Sequence, residues 1–538
     1  GVTAMVAIDE GFPAPISSAS RIFNETCPDG SAGVCGEIKM IYWDPETRRM
    51  VQGQQMNNPI SSAKTTCDAA QRLCNISMLA PATALTWDPP HGSLVTFSPR
   101  VAAGRFPIPT YYKGSLAVLN SSRTLLQRID THSSGVMTRL ECLGYGRNVY
   151  RDVNIRRRPN PPYPRRLLAS NSDGFHSFSV EHGPVLESCE LSFIADDFFN
   201  AHNRLLPLAS LDLASKVMTI VDVGDVLGHG YKVGADKSYD AHRITHTMAH
   251  VAAGDTLKLY DNGPAKALLG SVTVKEAKYL EGTPVPAAWT DTEWFTRVHP
   301  DALQLWEVAI GPCSGGSCAL PNGSFSALVQ IDRFASAEAR ITSSHFHDSY
   351  NNFGRFAASD LMFGPGNTVE RCEDGAHVSY DIAGPFLEGS LGMRNISFID
   401  NDFVTVSGCG NARAGTSGCA HVCEDISCIL AHVDPALAKQ VHASGNRVRL
   451  ATDDAGAAGS LEKGIIYVQP SYHYTNTLQL DMGELRKDLD RIVSAGFVNV
   501  GLRTSWGEIM SHWDPKTRSA TWNEASCDKL ASIAAECA

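Results

Sequence analysis

The feature that most constrains the fold is a seven-residue phrase that occurs twice. Residues 192–198 read SFIADDF and residues 397–403 read SFIDNDF, so five of seven positions agree. A weaker copy, SHFHD, occupies residues 344–348, and a short strand-like run precedes each copy. Short strands separated by recurring polar turns are typical of a solenoid. We therefore predict a mainly β protein built as a right-handed parallel β-helix.

Composition agrees with a β protein that is rich in turns. Charged residues make up 19% of the chain, below the roughly 25% of an average soluble domain, and there are 45 glycines. Helical periodicity is almost absent before about residue 430, where short apolar runs instead alternate with Gly, Asn or Asp turns. These observations favour strands over helices for most of the chain.

The order of segments predicts four parts. Residues 1–215 are expected to form the N-terminal part of the β-helix, with a small β insertion near 110–127. Residues 216–335 contain hairpin-like segments and are expected to be a small inserted β-domain. Residues 336–455 return to the β-helix, and residues 456–538 are expected to be a short α/β (βαβα) segment.

The last segment resembles the opening of a clan A glycosidase (β/α)8 barrel. Leu485, Leu489 and Ile492 fall at helical spacing, Gly496 ends that helix, and a second apolar strand follows. Two βα repeats cannot close a barrel, so we expect either a small α/β appendage or a truncated piece of a longer protein.

Charge, sequons and cysteines indicate a secreted protein. The net charge of −11 argues against a nucleic-acid partner, and no apolar run approaches the roughly 18 residues of a membrane span. Many cysteines and several N-x-[ST] sequons together fit an oxidising, secretory compartment with N-linked glycans. The sequons begin at Asn24, Asn75, Asn120, Asn322 and Asn395.

The 15 cysteines include close pairs that predict locally closed loops, such as Cys313 with Cys318. A denser cluster contains Cys409, Cys419, Cys423 and Cys428, for which a zinc site is the alternative to disulfides. An odd total leaves one thiol unpaired or paired outside the chain.

Carboxylates and imidazoles gather in two neighbouring phrases. Asp173 and Asp196 are 23 residues apart, about one coil of a β-helix, and we expect them to face solvent side by side. The same spacing brings in Asp197, His176 and His202. Glycosidic hydrolysis needs one protonated and one ionised carboxyl group, and two like charges held close together supply both states.

These phrases resemble the β-helix glycosidases, most closely glycoside hydrolase family 110. The resemblance is carried by NSDGFH at 171–176, GPVLES at 183–188 and DDFFNAH at 196–202, with FGRF at 353–356 as a further likeness. It implies catalytic roles for Asp173, Asp196 and Asp197. We further expect substrate contacts from His176, Asn200, His202 and Arg355, and activity on galactose-type or related polysaccharide, with neither cofactor nor metal.

A structural role is the competing interpretation. Asp and Asn residues commonly stabilise turns, because their side chains bond neighbouring backbone groups. In the repeated phrase Asp402 matches Asp197 and Asn401 matches Asp196, so Asp197 could be a turn residue. The alternative is therefore a non-catalytic extracellular protein that binds carbohydrate or serves as a rod. Such a protein would assemble through its C-terminal segment or an unpaired cysteine.

Overall fold

The protein is mainly β and contains parallel sheets, which confirms the coarse fold prediction. This computed structural model describes residues 3–7, 25–26, 32–33, 38–50, 60–68, 70–78, 94–99, 116–132, 138–158, 167–223, 246–263, 266–283, 285–286, 303–321, 325–383, 388–406, 423–450, 464–467, 499–502, 510–514 and 519–522. Within these residues, no helix is long and apolar enough to cross a membrane.

The N-terminal strands are β1 (Thr3–Ala7), β2 (Glu25–Thr26), β3 (Ala32–Gly33), β4 (Ile38–Trp43), β5 (Ile60–Asp68), β6 (Leu73–Met78) and β7 (Leu94–Pro99). They are followed by β8 (Leu116–Leu119), β9 (Leu125–Thr131), β10 (Arg139–Cys142), β11 (Val149–Ile155), β12 (Phe175–Phe178), β13 (Val185–Glu187), β14 (Glu190–Ile194) and β15 (Phe199–Arg204). The next group is β16 (Leu206–Asp212), β17 (Val217–Val223), β18 (Thr256–Asp261), β19 (Leu268–Tyr279), β20 (Leu303–Ile310) and β21 (Ala327–Ile331).

The later strands are β22 (Arg340–Thr342), β23 (His345–Phe356), β24 (Met362–Phe363), β25 (Thr368–Val378), β26 (Asp381–Ala383), β27 (Glu388–Gly389), β28 (Ile396–Ile399), β29 (Asp402–Val404), β30 (His432–Val433), β31 (Val441–Ser444) and β32 (Arg447–Arg449). The C-terminal strands are β33 (Gly464–Tyr467), β34 (Asn499–Leu502), β35 (Met510–Asp514) and β36 (Ser519–Trp522). The helices are α1 (Ile426–Ile429) and the 3-10 turns Thr247–His250, Asp332–Phe334 and Pro435–Gln440.

Three series of parallel strands form the main sheet. The first runs β13–β22–β24–β28–β31, and the second runs β14–β23–β25–β29–β32. The third runs β8–β10–β12–β15 and then continues into the C-terminal halves of β23 and β25 and into β30. Residues 116–119 of the insertion predicted near 110–127 therefore lie in this parallel sheet, as β8.

Buried aromatic side chains fill the space beneath these series. Phe353 lies at the centre of one cluster, with ring centroids 5.4 Å from Phe363 and 5.5 Å from Phe403. Phe175 and Phe199, which are in register on β12 and β15, stack at 5.7 Å. Stacked aromatic residues bury large apolar areas and hold each strand over the one before it.

A closed antiparallel barrel separates β15 from β22 along the chain. Its strand order is β16-β17-β20-β19-β18-β21. The alternation of side chains fills its interior with residues such as Ile220, Leu257 and Val308, each fully buried. The barrel strands lie between Leu206 and Ile331, so the barrel interrupts the parallel strands along the chain. In the sheet itself, β15 still pairs directly with β23.

An asparagine ladder marks one corner between the first and second series. Asn367, Asn401 and Asn446 each follow a strand of the first series, and each donates its side-chain Nδ2 to a backbone carbonyl, at 2.8, 2.9 and 2.7 Å. Such bonds satisfy backbone groups that a tight turn would leave unpaired. Asn401 is therefore a turn residue.

The matching of Asn401 and Asp402 to Asp196 and Asp197 is wrong. Asp402 begins β29 and is in register with Thr368, His345 and Glu190 of the second series. Asp197, by contrast, lies after β14, between the second and third series. The two copies of the phrase occupy different corners of the fold, because a short aromatic strand followed by a polar turn suits more than one corner. The role of Asp402 says nothing about Asp197.

Disulfides settle two questions about cysteine. Cys313 and Cys318 are bonded, which confirms that pair as a closed loop. Cys423 and Cys428 are also bonded, so they are not available to the alternative four-cysteine zinc site. Cys409 and Cys419 lie outside the described residues.

The C-terminal unit is described only in its strands. β33 pairs in parallel with β34, and β35 pairs antiparallel with β36. A parallel pair requires a crossover, as the predicted βαβα arrangement has. The helices predicted near 485–493 and 523–535 lie outside the described residues.

Candidate functional site

A ladder of polar side chains follows one register position of the third series. His176 on β12 pairs with Asn200 on β15, which pairs with Arg355 on β23. Arg355 pairs in turn with His377 on β25, and His377 with His432 on β30. Because residues in register on parallel strands point to the same face, these side chains line one strip of the sheet. We also expected a turn at the FGRF phrase from its likeness to a Gly-Arg turn of the β-helix glycosidases, but the phrase lies within strand β23.

Asp173 and His176 form a buried pair at the start of this strip. The Nδ1 atom of His176 lies 2.6 Å from Oδ2 of Asp173, and both side chains are less than a tenth exposed. Asn200 Nδ2 approaches the same carboxylate oxygen at 3.5 Å, the limit of a hydrogen bond. The spacing of three residues between Asp173 and His176 places the carboxylate in the turn and the imidazole on the strand that it opens.

Asp196 and Asp197 are held by donors from β23. Asn351 Nδ2 donates to both carboxylates, at 2.7 Å to Asp196 Oδ1 and 2.8 Å to Asp197 Oδ1. Asn352 Nδ2 donates to Asp197 Oδ1 at 3.0 Å, and the Nε atom of Arg355 lies 2.8 Å from Asp197 Oδ2. Burial opposes the charge of the guanidinium, but Asp197 and Asp196 more than offset it and raise the pKa of Arg355.

The three carboxylates predicted from the sequence converge. Asp173, Asp196 and Asp197 each offer an oxygen, and these oxygens lie within 4.8 Å of one another. All three side chains are buried, with residue exposures of 5%, 3% and 2%. The expectation that they face solvent is therefore wrong. Because these side chains are buried, the local dielectric constant is low, and charge interactions among the three carboxylates are stronger than they would be in water.

The imidazoles of His176 and His202 meet at the centre of the site. Their Nε2 atoms are 2.8 Å apart, and the rings are nearly perpendicular. His202 Nδ1 lies 2.6 Å from the carbonyl oxygen of Asn203. Burial and, next, the nearby His176 hold the pKa of His202 well below its ordinary value. The ring of His202 is consequently neutral at physiological pH.

Glu388 covers the His176–His202 pair from a different element. It lies on β27, which pairs antiparallel with the end of β15 so that Glu388 faces Arg204. A ligand atom of Glu388 lies within 4.8 Å of those of both histidines. Burial raises the pKa of Glu388, Asp173 adds to that effect, and His176 and Arg355 oppose it.

A second cluster of the same residue types lies further along the strip. Asp374 is fully buried, and its two oxygens lie 3.3 Å from His377 Nε2 and 3.2 Å from His432 Nε2. The two imidazoles stack with centroids 4.6 Å apart. Burial lowers the pKa of His377, whereas the bond to Asp374 raises the pKa of His432.

Every catalytic or substrate-binding candidate named from the sequence lies in or beside this strip, but several partners were missed. Asn351 and Asn352 directly precede the FGRF phrase, so extending that likeness by two residues would have found them. Glu388 and Asp374 carry no comparable signal. They come from strands more than 170 residues after His202, beyond the barrel.

Comparison with known proteins adds no relationship at this point. No protein-family model matches the chain, and a search of curated proteins finds no match either. The site must therefore be interpreted from its own geometry.

Proposed function

We propose that this protein is a glycoside hydrolase-like enzyme that acts on galactose-type polysaccharide through Asp173, Asp196 and Asp197. The observation that carries the proposal is the convergence of these three carboxylates within 4.8 Å, beside the guanidinium of Arg355. Glycosidic hydrolysis is a reaction for which two neighbouring carboxyl groups in different protonation states suffice. The likeness to glycoside hydrolase family 110 supplies the substrate class.

The contacts suggest a division of roles. Asp197 accepts hydrogen bonds from Asn351 and Asn352 and forms an ion pair with Arg355, so we assign it as the ionised carboxylate that faces positive charge on the sugar ring. We assign Asp196 as the general acid and Asp173 as the group that orients His176. The oxygens are closer than the roughly 6.5–9.5 Å of inverting enzymes, which favours retention of configuration.

The test is hydrolysis of aryl α-galactosides and of plant and algal polysaccharides by wild type and Asp196→Asn. The substitution keeps the volume of the side chain and removes its acid function. We expect the rate to fall by about 10²–10⁴-fold. The anomer released first, followed by NMR, reports retention or inversion.

Asp402→Asn is the matched control. Asp402 shares the sequence phrase of Asp197 but is held by Arg447 and Arg449 at another corner, so its substitution should leave the rate unchanged. Unchanged activity in Asp196→Asn would remove the assigned acid. A wild-type protein that cleaves no member of the panel would contradict the function itself.

The finer fold and the compartment belong to the same proposal. We take the three parallel series as the faces of a right-handed β-helix. The registers of the strands, the asparagine ladder and the aromatic stacks support this interpretation. We also propose secretion with N-linked glycans. Asn75, Asn120 and Asn395 are exposed, whereas Asn24 and Asn322 lie outside the described residues. A mass shift on treatment with a peptide N-glycosidase, after expression in a secretory cell line, tests this.

A non-catalytic carbohydrate-binding or structural protein is the second candidate. The observation in its favour is burial, because Asp196 and Asp197 are satisfied by asparagine side chains and by Arg355. In that case Asp196→Asn would lower the free energy of unfolding and leave glycan binding intact. The kinetic and unfolding measurements on the same variant therefore separate the two functions.

A further inference from the structure

The Nε2 atoms of His176 and His202 meet inside the site, and the other ring nitrogen of each histidine already has a partner. The carbonyl oxygen of Asn203 can only accept a hydrogen bond, so the Nδ1 atom of His202, 2.6 Å away, carries a proton. In a neutral ring its Nε2 atom then bears a lone pair. His176 directs its own Nδ1 at the carboxylate of Asp173, at 2.6 Å, so its Nε2 atom either carries a second proton that it donates to His202 or bears a lone pair of its own. The two Nε2 atoms are 2.8 Å apart, so the contact holds one proton, and a metal ion bound by both rings would take the place of that proton.

Both histidines are oriented as metal ligands are. A histidine that binds a metal through one ring nitrogen almost always donates its other ring N–H to a carboxylate or a backbone carbonyl. His176 directs its Nδ1 at the carboxylate of Asp173, and His202 directs its Nδ1 at the backbone carbonyl of Asn203. These bonds fix the tautomers and aim both Nε2 atoms at the same point.

A carboxylate completes the arrangement. Glu388 brings an oxygen within 4.8 Å of a ring nitrogen of each histidine. Asp173, which is bonded to His176, converges with Asp196 and Asp197.

We propose that His176, His202 and Glu388 bind one divalent transition-metal ion, Zn²⁺ in the first place. Two imidazoles and one carboxylate are a ligand set that zinc accepts in sites that keep a fourth position open. The proposal does not rest on the proposed function, since metal binding is measured without substrate.

The geometry needs only a small adjustment. Two nitrogens bound at about 2.0–2.1 Å to a tetrahedral zinc ion lie roughly 3.3 Å apart. The imidazoles, now 2.8 Å apart at Nε2, would separate by about half an ångström. Glu388 lies on a short strand and is partly exposed, so it is the ligand best placed to move.

The Asp374 cluster does not share this arrangement. There the Nε2 atoms of His377 and His432 lie 3.3 and 3.2 Å from the two oxygens of one carboxylate, and the two rings stack. This cluster therefore provides a control of the same residue types in the same strip of sheet.

The experiment uses the full chain, without a histidine tag, after dialysis against a chelator. Calorimetric titration with Zn²⁺ should show one ion per chain, and Co²⁺ should give the visible absorption of a low-coordinate site. His202→Gln and Glu388→Gln should each weaken Zn²⁺ binding by more than about 100-fold. Asp173→Asn, which removes the carboxylate that holds His176 Nδ1, should weaken it by about 10–100-fold.

His432→Gln is the matched control and should bind Zn²⁺ as wild type does. Circular dichroism and thermal unfolding of each metal-free variant show whether it is folded, and Glu388→Gln, at a partly exposed position, is the least disturbing. Less than half an equivalent of zinc on the wild-type protein would overturn the proposal. So would unchanged affinity in folded Glu388→Gln, or loss of binding in His432→Gln instead.

Discussion

The Nε atom of Arg355 lies 2.8 Å from Oδ2 of Asp197, and the carboxylate is 2% exposed. This ion pair joins β23 to the corner between β14 and β15, two parts of the chain that the barrel separates in sequence. A buried charge without a partner is expensive, so each group depends on the other. The pair therefore ties the candidate site to the continuity of the sheet across the barrel.

Arg355→Gln should strongly destabilise the protein. It leaves Asp197 buried without the guanidinium group, and breaking a buried pair by removing one partner costs about 3–5 kcal/mol. The measurement is the free energy of unfolding in urea at neutral pH.

Arg447→Gln is the control for that prediction. Arg447 also pairs with an aspartate, Asp402, but its side chain is 69% exposed and Arg449 contacts the same carboxylate. Exposed pairs contribute about 0–1 kcal/mol. Equal losses in the two variants would show that burial does not decide the strength of the Arg355 pair.

Phe353→Ala should create a cavity in the aromatic cluster. Phe353 is 1% exposed and its ring lies within 6.3 Å, centroid to centroid, of the rings of Phe356, Phe363, Phe398 and Phe403. Removing a buried phenyl ring costs about 3–5 kcal/mol, because the lining relaxes only in part. Phe353→Leu, which keeps more of the side chain, should cost less. Urea unfolding of both variants measures the two losses in the free energy of unfolding. If the ring of Phe353 were exposed to water, the loss in Phe353→Ala would not exceed that in Phe353→Leu.

The sequence was sufficient for the class of fold and for the acidic core of the site. Short strands with polar turns predicted a mainly β chain, and the spacing of Asp173 and Asp196 predicted that they lie close together. Both inferences depend on local periodicity, which is visible in the order of neighbouring residues.

Register and burial could not be obtained in the same way. The repeated phrase at 192–198 and 397–403 lies at two different corners of the fold. Matching the two copies residue by residue therefore wrongly paired Asp402 with Asp197. The position of Glu388 depends on an antiparallel pairing with Arg204, which lies 184 residues earlier in the chain. Such pairings are set by tertiary packing, which one sequence without periodicity does not reveal.

Two buried thiols should resist modification in the folded protein. Cys189 and Cys372 are outside any disulfide and are 3% and 0% exposed. Burial raises the pKa of Cys189 to about 11 and that of Cys372 well above its ordinary value. Since the thiolate is the reactive form, both should react with a disulfide reagent at pH 8 at least about 100-fold more slowly than after unfolding.

Single variants, Cys189→Ser and Cys372→Ser, assign the slow reactions. If either thiol reacts in the native protein as fast as in urea, its burial does not persist in solution. That outcome would revive the expectation of assembly through an unpaired cysteine, at that position.

The free energy of unfolding should depend on pH through His347. Its neighbour His345 should contribute a dependence of the opposite sign. His347 Nδ1 lies 2.9 Å from Asp348 Oδ2, and its Nε2 lies 3.4 Å from Glu190 Oε1. Burial disfavours the charged ring, but the bonds to Asp348 and Glu190 prevail and raise the pKa of His347. A histidine whose pKa is raised on folding stabilises the protein below its unfolded pKa of about 6.5 and loses that contribution as pH rises through the folded value.

His345 has the opposite sign, since burial and then the charge of His347 lower its pKa to about 4. Its unfavourable contribution grows as pH falls below about 6.5, where only the unfolded chain takes up the proton. Compared with wild type, His347→Gln should therefore lose more stability at pH 5.5 than at pH 9. His345→Gln should be relatively more stable at pH 5.5 than at pH 9. Urea unfolding at both pH values measures these differences, and because the two variants share one environment, shifts of the same sign in both would contradict the assignment of charge to His347.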